Sequence, residues 1–97
     1  MDIDALRPRL AAVCRKYGIT ELAVFGSAAR GEATSASDID LLYVRAPGND
    51  LGMRYFDLQE ELEAVFGVSV DLVPKEGLHW IVRDEVLADA KPLYAAA

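Results

Sequence analysis

Hydrophobic residues recur every three or four positions in two stretches of the chain. In the first stretch they are Ile3, Leu6, Leu10, Val13 and Tyr17, and in the second Leu51, Tyr55, Leu58, Leu62 and Phe66. This spacing predicts amphipathic helices over about residues 4–17 and 51–66. Gly18 and Gly67 follow as predicted helix stops. The polar positions Glu60, Glu61 and Glu63 are interpreted as a solvated face of the second helix.

Shorter apolar runs predict strands between and after these helices. The runs cover residues 21–25, 38–44 and 68–73. Residues 26–31 are predicted to turn into a short helix, residues 32–36 to form a loop, and residues 46–50 to form a turn. Residues 78–90 are predicted to form a last helix, followed at 92–94 by a short edge strand.

The predicted element order is α-β-α-β-α-β-α, which indicates an α/β (α+β) fold with a small mixed or antiparallel sheet flanked by helices. The helical segment between the second and third strands is long enough for a crossover between parallel strands. A chain of 97 residues can build one hydrophobic core but not two. Residues 1–97 are therefore predicted to form a single domain.

Acidic residues at the strands suggest a metal site. Asp38 and Asp40 are two positions apart, so on a strand their carboxylates share one face. Such a pair is electrostatically costly unless a cation lies between the two groups. Asp71 lies within an apolar strand, where burying a carboxylate costs free energy unless the carboxylate is paired or bound to a metal. The alternative is that the pair is solvated at a strand edge, and that Ser69 and Asp71 line an ordinary solvated face.

A turn after the first strand suggests an anion site. Gly26 and Ser27 follow a buried strand and precede a short helix, where backbone N–H groups can bind phosphate. Arg30 lies one helical turn further on and could add positive charge. The alternative is a plain strand-to-helix turn with Ser27 as the N-cap.

Taken together, these features resemble the minimal nucleotidyltransferase (MNT) family of the DNA polymerase β-like superfamily. The resemblance rests on residues 25–31, 37–42 and 70–73, and on the element order along nearly the whole chain. It implies the polymerase β-like nucleotidyltransferase fold and an enzyme that transfers a nucleotidyl group from ATP.

The resemblance also implies roles for single residues. Asp38 and Asp40 would hold two Mg²⁺ ions, and Asp71 would complete the second metal site and accept the proton of the acceptor hydroxyl. The residues implied in nucleotide binding are Gly26, Ser27, Arg30 and Ser37. Gly26 and Ser27 would hold the β- and γ-phosphates, while Arg30 would contact phosphate or pair with an acid. Ser37 is interpreted as orienting the strand end at Asp38.

Charge and composition narrow the expected partners. The net charge of -6 disfavours direct nucleic-acid binding, which needs a basic face. No apolar run reaches the roughly 20 residues that span a bilayer, and an acidic start argues against a signal peptide. The single Cys14 cannot form an internal disulfide. A cytoplasmic protein without membrane association is expected.

Length then suggests the acceptor. Larger members of the superfamily carry extra domains for their acceptor, whereas a chain of this size resembles the MNT half of HEPN–MNT toxin–antitoxin pairs. This implies AMP transfer from ATP to a tyrosine hydroxyl of a HEPN ribonuclease toxin. Two alternatives are a non-enzymatic antitoxin that masks its partner and an aminoglycoside-type nucleotidyltransferase acting on a small molecule.

Overall fold

A computed structural model describes residues 2–31 and 38–96. The helices are a 3-10 turn at Asp4–Leu6, α1 (Arg7–Tyr17), α2 (Gly26–Ala29), α3 (Arg54–Phe66), a second 3-10 turn at Lys75–Gly77, and α4 (Trp80–Asp89). The strands are β1 (Ile19–Phe25), β2 (Ile39–Arg45), β3 (Val70–Pro74) and β4 (Lys91–Ala95). The predicted helices and strands are all present in the predicted order. The predicted loop at 32–36 lies outside the described residues.

Glycines end both long helices, as the sequence predicts. Gly18 has φ 69° and Gly67 has φ 75°, the left-handed conformation that closes a helix C-terminus. α3 begins three residues later than predicted, because the Asp50 carboxylate accepts a hydrogen bond from the Gly52 N–H (3.1 Å) and holds a turn there. Within residues 2–31 and 38–96, every helix is too short or too polar to cross a membrane.

The four strands form one mixed sheet in the order β3-β2-β1-β4. β1 is antiparallel to both β2 and β4, whereas β2 and β3 are parallel. α3 makes the crossover that the parallel pair requires. The predicted edge strand is confirmed, and β3 forms the opposite edge.

The two faces of the sheet are covered differently. α1 and α3 pack on one face, where Ile39, Leu41 and Tyr43 of β2 belong to the main core. Because side chains alternate along a strand, Asp40 and Leu42 point to the other face. α4 lies over part of that face but keeps every residue at least partly exposed, with Trp80 78% exposed. One region of the second face therefore stays open to solvent beside Asp40.

The solvated helix face predicted for the glutamates of α3 is wrong for two of the three residues. Glu60 is exposed, but Glu61 is half-buried and accepts hydrogen bonds from the Lys16 ammonium and the Tyr17 hydroxyl. Glu63 is also half-buried and accepts from the Val70 N–H. The reason is tertiary: α3 lies between α1 and β3, so polar side chains on both of its flanks find partners.

Candidate functional site

Strand register brings three of the predicted site residues together. Asp40 pairs with Phe25 across the antiparallel β1–β2 ladder and with Asp71 across the parallel β2–β3 ladder. Residues in register on neighbouring strands lie about 5 Å apart and point to the same face. The carboxylates of Asp40 and Asp71 are therefore neighbours, and Gly26 follows Phe25 at the adjoining strand end.

Gly26 lies directly against the Asp40 carboxylate. Its φ is +71°, and a Cβ added there would lie 2.5 Å from Oδ2 of Asp40. Glycine is thus needed for two reasons: the left-handed backbone and the space that the carboxylate occupies. The turn after β1 consequently lies directly against the acidic pair.

The electrostatics of Asp40 support a cluster of like charges. Its pKa is raised, first by burial, then by the Asp71 carboxylate and then by the Asp38 carboxylate. Asp38 and Asp71 are themselves exposed. Asp38 and Asp71 thus both lie within electrostatic reach of Asp40 beside open solvent, an arrangement that a bound cation would stabilise.

The raised pKa of Asp40 predicts a pH-dependent stability. The folded protein holds the Asp40 proton more tightly than the unfolded chain, so the contribution of Asp40 to stability is fully present below the ordinary aspartate pKa and is lost as the pH rises through the raised pKa. Asp40→Asn should remove this contribution to the pH dependence and raise Tm at neutral pH without divalent cations by roughly 2–5 °C. Thermal unfolding from pH 4 to 8 measures both, and an unchanged slope in the variant would contradict the assignment.

The donor set fits Mg²⁺ held together with a substrate. In the part of the chain that the structure describes, no three acidic, histidine or cysteine side chains converge closely enough to hold a metal ion alone. Mg²⁺ commonly takes one or two carboxylates and completes its octahedron with water and substrate phosphates. Carboxylate oxygens aligned on adjacent strands, as at Asp40 and Asp71, suit that mode.

The turn that carries Ser27 differs from a simple capped helix. The N-cap of α2 is Phe25, in an extended conformation. The interpretation of Ser27 as the N-cap is therefore wrong, and its hydroxyl is not committed to that bond. Ser27 directly follows the glycine that touches Asp40. Ser37 lies outside the described residues, so its predicted role stays a prediction.

Arg30 has an acidic partner. Its Nη1 lies 2.7 Å from Oδ2 of Asp89 at the end of α4, with both side chains about half exposed. The ion pair with Asp89 is the second of the two roles that the resemblance implies for Arg30. It links the end of α2, the short helix that begins at the predicted anion-binding turn, to α4. Phosphate contact by Arg30 stays a prediction. Asp89 was missed because it lies 59 residues away in sequence and belongs to no local motif.

Residues 9–93 match the family described as nucleotidyltransferase domain. The chain belongs to this family. The resemblance that the motifs suggest is therefore confirmed, and the protein is a nucleotidyltransferase. It is 32% identical over 90 residues to a candidate protein adenylyltransferase of Methanocaldococcus jannaschii, covering 93% of this chain and 96% of that protein. It is 39% identical over 74 residues to the protein adenylyltransferase MntA of Thermococcus cleftensis, covering 76% and 74%.

Solved structures confirm the polymerase β-like fold of this nucleotidyltransferase. A candidate minimal nucleotidyltransferase superposes with a TM-score of 0.76 at 42% identity, covering 95% of this chain and 96% of that one. A toxin–antitoxin complex with AMP-PNP gives 0.74 at 22% identity, with 93% and 73% covered. A tri-AMPylated Shewanella oneidensis HEPN toxin in complex with its MNT antitoxin gives 0.69 at 19% identity, with 97% and 73% covered. The last two matches show the fold alone.

Proposed function

We propose that this nucleotidyltransferase transfers AMP from ATP to a tyrosine hydroxyl of a HEPN toxin and thereby acts as its antitoxin. The observation that carries the proposal is the register of Asp40 with Asp71, with Gly26 packed against Asp40. This arrangement places paired carboxylates beside a glycine-serine turn, which is what metal-assisted transfer from a nucleotide requires. Support for protein as acceptor comes from relatives named protein adenylyltransferases.

The acids would hold two Mg²⁺ ions. Asp38 and Asp40 would contribute ligands to both, and Asp71 would complete the second site. When bound, the ions supply charge neutralisation at the triphosphate and lower the pKa of the acceptor hydroxyl. The raised pKa of Asp40 matches this role, because a site that gathers negative charge favours a cation.

The reaction would exchange a phosphoanhydride bond of ATP for a phosphoester bond to the acceptor. The acceptor oxygen would bond to the α-phosphorus of ATP, and the bond between the α-phosphorus and the bridging oxygen would break to release pyrophosphate. Asp71, exposed at the edge of the acid cluster, would accept the proton of the hydroxyl. Gly26 and Ser27 would hold the β- and γ-phosphates through backbone N–H groups and the serine hydroxyl.

A protein acceptor also fits the charge. With a net charge of -6, the chain gives little electrostatic attraction to a polyanion. A HEPN toxin as the partner is supported by the fold shared with the MNT antitoxin of the Shewanella oneidensis complex. A cytoplasmic location remains part of this proposal.

Position-specific labelling of ATP tests the reaction class. The protein is incubated with Mg²⁺ and the product of its neighbouring gene, using ATP labelled at either the α- or the γ-phosphate. Label from the α-phosphate should enter the partner, and label from the γ-phosphate should leave as pyrophosphate. Transfer of the γ-label would indicate a kinase reaction, and transfer of neither label would favour a masking antitoxin without catalysis. Tandem mass spectrometry of the labelled partner should place AMP on tyrosine.

A further inference from the structure

A stripe of three α3 side chains bonds to the outer backbone of the edge strand β3. The stripe consists of Tyr55, Gln59 and Glu63, four residues apart and hence on one helix face. The Tyr55 hydroxyl donates to the Leu72 carbonyl (2.7 Å), and the Gln59 amide donates to the Val70 carbonyl (2.9 Å). The Glu63 carboxylate accepts from the Val70 N–H (2.9 Å).

These bonds occupy the side of β3 that lacks a neighbouring strand within residues 2–31 and 38–96. In that part of the chain β3, which has five residues, pairs only with β2, so its outer N–H and C=O groups would otherwise be open to water or to another chain. Val70 and Leu72 are each 3% exposed, whereas Asp71 between them is exposed. The backbone of β3 is therefore held at Val70 and Leu72, before and after Asp71, while the Asp71 side chain faces solvent.

We infer that the α3 stripe positions Asp71 in register with Asp40. The stripe is a set of positioning residues: it contacts the backbone of β3 and acts through it on where the Asp71 carboxylate lies. The inference rests on the proposed function, because it assigns the stripe a purpose at the proposed metal site. The helical spacing of the stripe makes this possible, since one rigid helix bonds to both residues that flank Asp71.

Variants that remove single bonds can test the stripe. Tyr55→Phe deletes one hydroxyl and keeps the ring, and Glu63→Ala deletes the acceptor of the Val70 N–H. Glu63→Gln keeps an acceptor oxygen and serves as the rescue variant. The matched control is Tyr17→Phe, which deletes a tyrosine hydroxyl bonded to Glu61 on the flank of α3 that faces α1. Thermal unfolding of every variant shows how much of any change in metal binding accompanies a loss of stability.

Two readouts separate positioning from general stability. The first is the Mn²⁺ concentration that half-saturates the protein with AMP-PNP, followed by electron paramagnetic resonance. This concentration should rise about three- to tenfold in Tyr55→Phe and in Glu63→Ala. That range lies at or below the lower end of the loss of metal affinity seen when a hydrogen-bond partner of a metal ligand is removed. The second is exchange of the Val70 amide, which should quicken about tenfold in Glu63→Ala. Glu63→Gln and Tyr17→Phe should stay near wild type in both.

The outcomes distinguish this inference from the proposed function. Equal Mn²⁺ affinity in Tyr55→Phe and Tyr17→Phe would overturn the inference, because the stripe would then serve stability alone. A wild-type protein that binds no Mn²⁺ with AMP-PNP would overturn the metal site of the proposed function. The exchange data would then decide whether the stripe holds the backbone beside Asp71: faster Val70 exchange in Glu63→Ala but not in Tyr17→Phe supports that part of the inference, and equal exchange overturns the inference as a whole.

Discussion

The double variant Asp38→Asn/Asp40→Asn is expected to lose nucleotidyl transfer by at least about a thousandfold, equivalent to about 4 kcal/mol of transition-state stabilisation. Amides keep the size of the side chains but remove the two negative charges that would hold Mg²⁺ against the triphosphate. The fold should survive, because the substitution relieves the repulsion and desolvation that raise the pKa of Asp40. Initial rates of AMP incorporation at saturating ATP, with Tm in parallel, measure both effects.

The matched control removes two carboxylates elsewhere. Asp57 and Glu60 are exposed on α3, and Asp57→Asn/Glu60→Gln changes the net charge by the same amount. This control should keep activity within about twofold, because exposed substitutions of this kind have small effects. If the two double variants lose activity equally, the loss follows from charge or expression and not from a metal site.

Gly26→Ala is expected to lower activity by about a hundredfold or more. The left-handed backbone alone costs an alanine about 1–2 kcal/mol. In addition, the new Cβ would lie 2.5 Å from Oδ2 of Asp40, so the carboxylate or the turn must move. A displacement of about 1 Å among reacting groups can reduce turnover a hundredfold. Values of kcat/KM and Tm for the variant measure the two effects separately.

Gly48→Ala is the matched control for the backbone term. Gly48 has φ +79°, and an added Cβ there meets no atom of the described chain within 4 Å. Gly48 lies in the turn after β2, at the opposite end of that strand from Asp38 and Asp40. Tm should fall by roughly 4–16 °C in both variants, because a cost of about 1–2 kcal/mol lowers Tm by about 4–8 °C per kcal/mol in a domain of this size. Only Gly26→Ala should lose activity, and a similar loss in Gly48→Ala would show that destabilisation explains both.

The fold could be predicted because local signals agreed with tertiary structure. Helical periodicity and the terminal glycines Gly18 and Gly67 define α1 and the end of α3. These two signals are local and depend little on tertiary packing. The i, i+2 spacing of Asp38 and Asp40 and the family resemblance pointed to the acidic site. The sequence left open whether the sheet was mixed or antiparallel, since strand direction depends on packing.

Contacts between distant parts of the chain could not be predicted in the same way. Glu63 was interpreted as solvated because an acid on a helix surface usually is, and only the position of β3 makes it an acceptor for Val70. Asp89 likewise became the partner of Arg30 through the docking of α4. The stripe of Tyr55, Gln59 and Glu63 has helical spacing in the sequence, but its periodicity does not reveal which strand it meets.

The most direct test of the account is the intact mass of the partner protein. The protein and the product of its neighbouring gene are purified together. The intact mass of the partner is then measured by mass spectrometry before and after Mg²⁺-ATP is added. With the wild-type chain we expect a gain of one or more AMP units, and with Asp38→Asn/Asp40→Asn we expect none. A stable complex in which the partner's mass never changes with either chain would contradict catalysis at these acids.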